Sequence, residues 1–140
     1  MTAALAVGAP FLCNPVAVWD GDGPMWCAEG PKVRLVGIAA REIDETCRPH
    51  HPCPKASGKA ARDYLVKLLG GPKGTLPTGH IKVRTRKPLR CVSTGPAVGG
   101  RTGAWCRTEG VGDLSCAMVK AGYALAWREH GGRAVCRGRP

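Results

Sequence analysis

The stretch VRLVGIAARE, residues 33–42, holds an arginine and a carboxylate at a spacing that suits chemistry on phosphate. Arg34 lies in a β-prone run, on the face opposite its apolar neighbours, and Glu42 follows eight residues later. A guanidinium binds phosphate oxygens, and a carboxylate can handle an attacking water. Phosphate chemistry often also needs a second acid to hold a metal, but Ala39 and Ala40 stand where that acid is expected. The stretch therefore indicates an active site, an altered one, or the relic of one.

The charge of the chain favours a polyanionic partner. Its 140 residues suffice for one domain, and 21 Lys+Arg against 10 Asp+Glu give a formal net charge of +11. Nucleic acid, an anionic surface or an acidic polysaccharide would suit this charge, and a merely solvated basic surface is the alternative. Only seven aromatic residues are present, which argues against a wide base-stacking platform.

Eight cysteines in so small a chain indicate disulfides and an oxidising compartment. Connectivity does not follow from sequence alone, but two cysteines lie symmetrically about the turn at Asp20-Gly21-Asp22, and two others flank the loop TGPAVGG. The spacing favours four sequential pairs: Cys13–Cys27, Cys47–Cys53, Cys91–Cys106 and Cys116–Cys136.

A zinc site competes with one of these pairs. Cys47, His50, His51 and Cys53 offer four ligands within seven residues. Structural zinc sites usually draw ligand pairs from two separated segments, because so short a loop wraps a tetrahedron poorly. The disulfide is therefore favoured, and both histidines are expected to be exposed.

The chain ends and the cysteines predict an exported, monomeric protein. Residues 1–12 are apolar but lack a basic region, so we expect a flexible N-terminus or the remnant of a signal peptide. Residues 13–140 form one predicted domain without a membrane span. With the cysteines, this favours the periplasm or the outside of the cell.

The elements that must position these residues alternate between strands and helices. Ser57 and Asp113 are typical helix N-caps, and the two helices end at Gly70-Gly71 and Gly122. Strands are predicted at Val16–Trp19, Met25–Cys27, Val33–Ile38, Ile81–Thr85, Leu89–Val92 and around Gly103–Arg107. This order predicts an α+β fold: a small five-stranded OB-type β-barrel with two or three α-helices, stapled by disulfides.

Five motifs in this order resemble the staphylococcal nuclease-like (thermonuclease) family. They are VWDGD, VRLVGIAARE, SGKAARDYLVKLL, GGRTGAWC and DLSCAMVKAGYALAW, and they extend from Val16 to Trp127. No single motif is decisive, but their order and spacing together are specific. The cysteine-rich loop after Glu42 also resembles that of secreted bacterial members.

The resemblance implies a nuclease that hydrolyses phosphodiester bonds of DNA and RNA, single-stranded or frayed, with Ca²⁺ as the usual cofactor. The two motif arginines match Arg34 and Arg101, and the motif glutamate matches Glu42. The second aspartate of DGD, a metal ligand in the family, matches Asp22.

Two departures put the metal in doubt. The family's metal-binding aspartate is Ala39 here and the proline after it is Arg41, while only AVGG precedes Arg101. Two guanidinium groups would still stabilise the charge that develops on the phosphorus oxygens. Asp22 alone is an incomplete ligand set for Ca²⁺, which takes six or more oxygens.

Three interpretations of AARE stay open. Asp44 or Glu45 replaces the lost acid, or cleavage proceeds without metal, or the domain binds nucleic acid without cutting it. Two other classes compete with a nuclease: a basic module that holds single-stranded nucleic acid or another polyanion, and a cationic, disulfide-stapled protein with no site.

Each candidate residue also has a purely structural interpretation. Arg34 would pair with Glu42 across the loop, and Glu42 would serve as a cap or an ion-pair partner. Arg101 would be one surface cation among many, and Asp22 would form a turn.

Overall fold

The structure is a computed structural model that describes residues 4–85 and 87–137. Within these residues the chain forms eleven strands and two α-helices. The strands are β1 Pro10–Cys13, β2 Pro15–Val18, β3 Met25–Cys27, β4 Lys32–Leu35, β5 Ile38–Ala39, β6 Pro72–Thr75, β7 Ile81–Val83, β8 Leu89–Ala97, β9 Arg101–Thr108, β10 Gly112–Asp113 and β11 Leu125–Ala126. The helices are α1 Gly58–Leu69 and α2 Leu114–Lys120.

One curled sheet dominates the molecule and forms a half-barrel. Its strand order is β1-β8-β9-β4-β3-β2-β7-β6, with β10 added to β9, and only the pair β4–β9 is parallel. Within the described residues this sheet has nine strands rather than the five predicted, because the chain is divided into short strands and further strands pair at the edges. The mostly-sheet fold with two helices and four disulfides agrees with the prediction.

Both helices begin at the predicted caps. The hydroxyl of Ser57 accepts a hydrogen bond from the backbone N–H of Ala60 at 3.0 Å, and the carboxylate of Asp113 accepts one from Cys116 at 3.2 Å. Such caps satisfy backbone donors that the first helical turn leaves free. Helix α1 ends at Gly70, whose φ of 131° suits glycine.

The core lies between the concave face of the sheet and the two helices. On β4 the side chains of Val33 and Leu35 are fully buried, while Arg34 between them faces the other way. The largest buried side chains of the core are Met25, Leu35, Ile38, Leu65, Leu89, Leu114 and Met118. Burial of one face therefore fixes the direction in which Arg34 points.

The predicted strand Val33–Ile38 is two strands separated by a turn. Gly37 has a φ of 82°, and a Cβ on it would lie 2.7 Å from the Trp105 ring, so glycine is required there. The turn sends Ile38–Ala39 away from the main sheet to pair with β11. A continuous strand was the wrong prediction because the backbone must pass under a tryptophan.

Part of residues 1–12, predicted to be a flexible N-terminus or the remnant of a signal peptide, lies against the sheet. Pro10–Cys13 pairs with β8, and the N–H of Leu5 donates to the hydroxyl of Thr102 at 3.1 Å. Residues 1–3 lie outside the described part of the chain. Strand β6 was missed as well, since its four residues are all exposed and show no alternation.

All four predicted disulfides are confirmed. They join Cys13–Cys27, Cys47–Cys53, Cys91–Cys106 and Cys116–Cys136. The competing zinc interpretation fails, because Cys47 and Cys53 are bonded to each other. Four disulfides indicate that the chain matures in an oxidising, extracellular environment. Neither described α-helix has the length and apolar character needed to cross a bilayer.

Candidate anion-binding cleft

Arg34 and Arg101 come from neighbouring parallel strands and share one face of the sheet. Arg34 on β4 is in register with Gly103 on β9. Because side chains alternate along a strand, Arg101, two residues before Gly103, projects to the same side. Both arginines line a single cleft.

Arg34 is held in place by backbone acceptors. Its guanidinium donates to the carbonyl oxygens of Leu35 and Ile38, the second at 3.1 Å, and lies 3.4 Å from the carboxylate of Asp22. Only 19% of its side chain is exposed. The planar fork is therefore oriented before any ligand arrives, and its acidic partner is Asp22 rather than Glu42.

The surroundings of Arg101 differ from those of Arg34. It opens β9, directly after the turn Val98–Gly100. Among the described residues, no carboxylate lies within 4.0 Å of its side chain and no hydrogen bond engages it. Its charge is thus available to an anion in the cleft.

Asp22 joins the turn of DGD to the AARE stretch. One oxygen of its carboxylate accepts from the backbone N–H of Ala40 at 3.0 Å and faces Arg34 at 3.4 Å. Gly21 permits this approach, since a Cβ there would lie 2.9 Å from that of Ala40 and 2.7 Å from that of Ala61 on α1. Asp22 therefore has a structural role in addition to any ligand that it could bind.

Asp20, the first acid of DGD, is a buried carboxyl that keeps its proton at neutral pH. Only 4% of the residue is exposed, and one of its oxygens accepts from the N–H of Asp22 at 3.2 Å. Burial, followed by the nearby charge of Asp22, raises the pKa of Asp20 to about 10. It therefore adds no negative charge to the cleft near pH 7.

Glu42 reaches the cleft and forms an ion pair with Arg48. The Nε of Arg48 lies 2.9 Å from a carboxylate oxygen of Glu42, whose side chain is 26% exposed. Arg48 is 58% exposed, so this pair is weak and exchanges readily with solvent.

Neither acid proposed as a replacement for Ala39 lines the cleft. Asp44 accepts from the N–H and hydroxyl of Thr46, and these bonds lower the pKa of its fully exposed carboxyl. Glu45 accepts from the N–H of Gly58 at 2.7 Å and so supports the start of α1. The interpretation that either residue supplies the missing acid is therefore not supported.

The cleft has a volume of about 540 Å³ and brings together Asp22, Arg34, Glu42 and Arg101, the four predicted site residues. Three guanidinium groups face three carboxyl groups, of which Asp20 is protonated, so the cleft is cationic. Further lining residues that the sequence did not indicate are Trp19, Asp20, Arg48, His51, Trp105, Trp127 and His130. Trp127 follows β11, and its backbone N–H donates to the carbonyl oxygen of Gly37 at 2.7 Å. This long-range contact could not be predicted from a local motif.

The oxygen donors of the cleft do not fit Ca²⁺. This ion takes six to eight oxygens, several of them from ionised carboxylates. Asp20 is protonated, Asp22 is committed to Ala40 and Arg34, and Glu42 is paired with Arg48. A second cluster, formed by Cys13, Cys27 and Glu29, has metal-like spacing, but its cysteines form a disulfide.

Comparison with known proteins gives no relative: no family model, no curated protein and no solved structure matches this chain.

Proposed function

We propose that the chain is a small nuclease that hydrolyses phosphodiester bonds of DNA or RNA without a calcium site in its cleft. The observation that carries this proposal is the pair of arginines, Arg34 and Arg101, held on one face of the sheet beside Glu42. Guanidinium forks match phosphate oxygens bidentately, and Arg34 is already oriented.

The proposed mechanism uses three side chains. Arg34 and Arg101 stabilise the charge that develops on the equatorial phosphate oxygens as water attacks the phosphorus. Glu42 orients the water, for which the weak ion pair with Arg48 must exchange. Since Arg34 is oriented before the reaction, it lowers the barrier with little reorganisation cost.

The OB-type barrel belongs to this proposal. In the sheet, β1 lies at one end and β2 lies four strands from β8, before β7 and β6, yet only Asn14 separates β1 from β2 in the chain. Counted as one strand bent at Asn14, β1 and β2 would close a ring of five strands with β3, β4, β9 and β8, and β7 and β6 would extend it. This closure and the resemblance to the thermonuclease family support each other. An OB fold often binds nucleic acid on such a face.

The test is cleavage of single-stranded DNA and RNA by the Arg34→Ala and Arg101→Ala variants. Each variant should lose at least about 100-fold in kcat, because removal of one preorganised donor typically costs that much. Arg90→Ala is the matched control, since Arg90 is an exposed arginine on β8 outside the cleft. Full cleavage by both cleft variants would rule out the proposed site.

The second candidate is a catalytically inactive basic module that binds single-stranded nucleic acid or another polyanion. The observation that favours it is that Asp22 and Glu42 are both already paired with guanidinium groups. It predicts salt-sensitive retention of a labelled oligonucleotide, with no shorter products at any time. Product formation by the wild type would exclude it.

The disulfides support a more specific location for either candidate. Stable disulfides persist in secreted and periplasmic proteins, so we place this monomeric domain in one of those compartments. Nucleic acid released outside the cytoplasm would be its substrate or ligand.

A further inference from the structure

The segment Cys47–Cys53, called here the disulfide loop, is held beside the cleft by a disulfide and by hydrogen bonds from Arg41. Its ends are joined by the disulfide, and Arg41 donates to the carbonyl oxygens of Glu45 at 2.8 Å and Pro54 at 2.7 Å. Arg41 therefore bridges the two chain segments that flank the loop. This residue is one of the two departures of the AARE stretch from the family pattern, and here it has a positioning role.

The disulfide loop delivers two side chains to the cleft. Arg48 reaches Glu42, and the ring of His51 packs 4.2 Å from the ring of Trp127, centroid to centroid. Trp127 in turn lies 5.9 Å from the guanidinium carbon of Arg34. His51 was expected to be an exposed loop residue, but it lines the cleft beside the proposed phosphate-binding arginine.

No hydrogen bond to a described residue uses the imidazole of His51. In the described part of the chain, neither of its ring nitrogens takes part in a hydrogen bond, whereas the Oε1 of Glu42 accepts a hydrogen bond from Arg48. A histidine that lines a cationic cleft and is held there by packing on an aromatic ring is suited to proton transfer.

We propose that His51 is a catalytic residue that accepts the proton of the attacking water, an inference that rests on the proposed nuclease function. As the water oxygen forms its bond to phosphorus, the proton passes to a ring nitrogen of His51, while Glu42 keeps the water oriented. The bond from phosphorus to the leaving ester oxygen breaks, and that oxygen takes a proton from solvent water. The imidazolium then returns its proton to solvent, so atoms and charge balance over the cycle.

The surroundings of His51 support a base that is neutral at physiological pH. Burial and the charges of Arg34 on β4 and Arg48 in the disulfide loop lower the pKa of His51, and the carboxylates of Asp22 and Glu42 oppose this. His130 lies on Trp127 as well, with ring centroids 4.2 Å apart. The neutral form of His51 therefore predominates at pH 7.

The experiment measures cleavage of single-stranded DNA from pH 5 to pH 8 by wild type, His51→Asn and His50→Asn. His50 is the matched control, since it is exposed, stands next in the chain and has a φ of 67° that Asn tolerates. His51→Asn should lower kcat by about 100- to 10,000-fold with a small change in KM. It should also abolish the rise of kcat/KM with pH on the acid side of pH 6.5, while His50→Asn keeps both.

Three outcomes would overturn this assignment, and they are distinguishable. If His51→Asn cleaves at the wild-type rate with the same pH profile, His51 is not catalytic and the nuclease proposal stands. If it cleaves slowly but keeps the rise with pH, His51 only positions the loop. If the wild type forms no products, the proposed function fails and the role of His51 fails with it. Circular dichroism of each variant verifies that it is folded.

Discussion

At the scale of single residues, Asp20 shows how burial sets the charge of the cleft. The folded carboxyl keeps its proton to about pH 10, whereas the unfolded chain releases it near pH ~4. Between these values the folded state binds more protons than the unfolded state, so this residue lowers stability as the pH rises. The same proton lets the cleft keep its positive charge at neutral pH.

Asp20→Asn should therefore flatten the pH dependence of stability. From pH 5 to pH 8 the free energy of unfolding of the wild type should fall relative to that of the variant, by at most about 1.4 kcal/mol per pH unit. Urea unfolding with the disulfides intact measures both curves. Parallel curves would mean that Asp20 is ionised in the folded protein.

The site residues that the sequence identified are those whose position follows from their neighbours in the chain. Arg34 could be located because the apolar residues on either side must face the core, which leaves the arginine on the other face. His51 and Trp127 could not be located, since they come together through the disulfide loop and the pairing of β5 with β11. Contacts of that kind depend on tertiary structure, and no local pattern encodes them.

At the scale of elements, the first turn of α1 packs directly on the backbone of the site. A Cβ on Gly58 would lie 2.0 Å from the carbonyl oxygen of Glu42. Glycine is a poor helix former, so its presence at this position has a packing reason. The start of the helix therefore fixes where Glu42 enters the cleft.

Gly58→Ala should destabilise the protein by about 1–3 kcal/mol despite the better helix propensity of alanine, because the clash must move one backbone against the other. Cleavage should fall as well, since Glu42 shifts. Lys59→Ala is the control in the same turn and should change stability by less than about 0.5 kcal/mol. Thermal unfolding and a cleavage assay measure both effects, and a stabilised Gly58→Ala variant would contradict the packing described.

Two disulfides should separate stability from activity. Cys13 and Cys27 are buried and close a longer loop than Cys47 and Cys53, with sequence separations of 14 and 6. Replacing the first pair by alanine should cost about 2–5 kcal/mol of unfolding free energy. Replacing the second pair should cost less but lose more cleavage, because the loop that carries Arg48 and His51 is released. Urea unfolding and product formation, compared between the variants, would reveal the reverse order if the loop is not part of the site.

The caps and the cysteine pairs of these elements were predictable, whereas several strands were not. Ser57, Asp113 and the cysteine spacings are local signals, because each acts on residues close to it in the chain. Strand β6 has no buried residue, and β5 and β11 consist of two residues each. Such strands exist only because a partner is nearby, so their sequences carry no periodicity to read.

At the scale of the whole molecule, a net charge of +11 and a cationic cleft act in the same direction. In the proposed function, the surface charge would attract a polyanion from a distance, and the arginines of the cleft would then bind individual phosphates. The positive charges of the domain repel one another and so oppose folding, and the disulfides offset this repulsion. The proposed mechanism assigns to these side chains the positive charge that a bound metal would otherwise supply.

The most direct measurement is cleavage of a single-stranded DNA oligonucleotide by the oxidised wild-type protein, with Ca²⁺ and in excess chelator, with products resolved by size. Arg34, Arg101 and Glu42 act without a bound metal in the proposed mechanism, so equal product formation under both conditions is the expected result. Cleavage that requires Ca²⁺ would mean that the cleft assembles a metal site despite Ala39. The absence of products under both conditions would contradict the nuclease proposal itself.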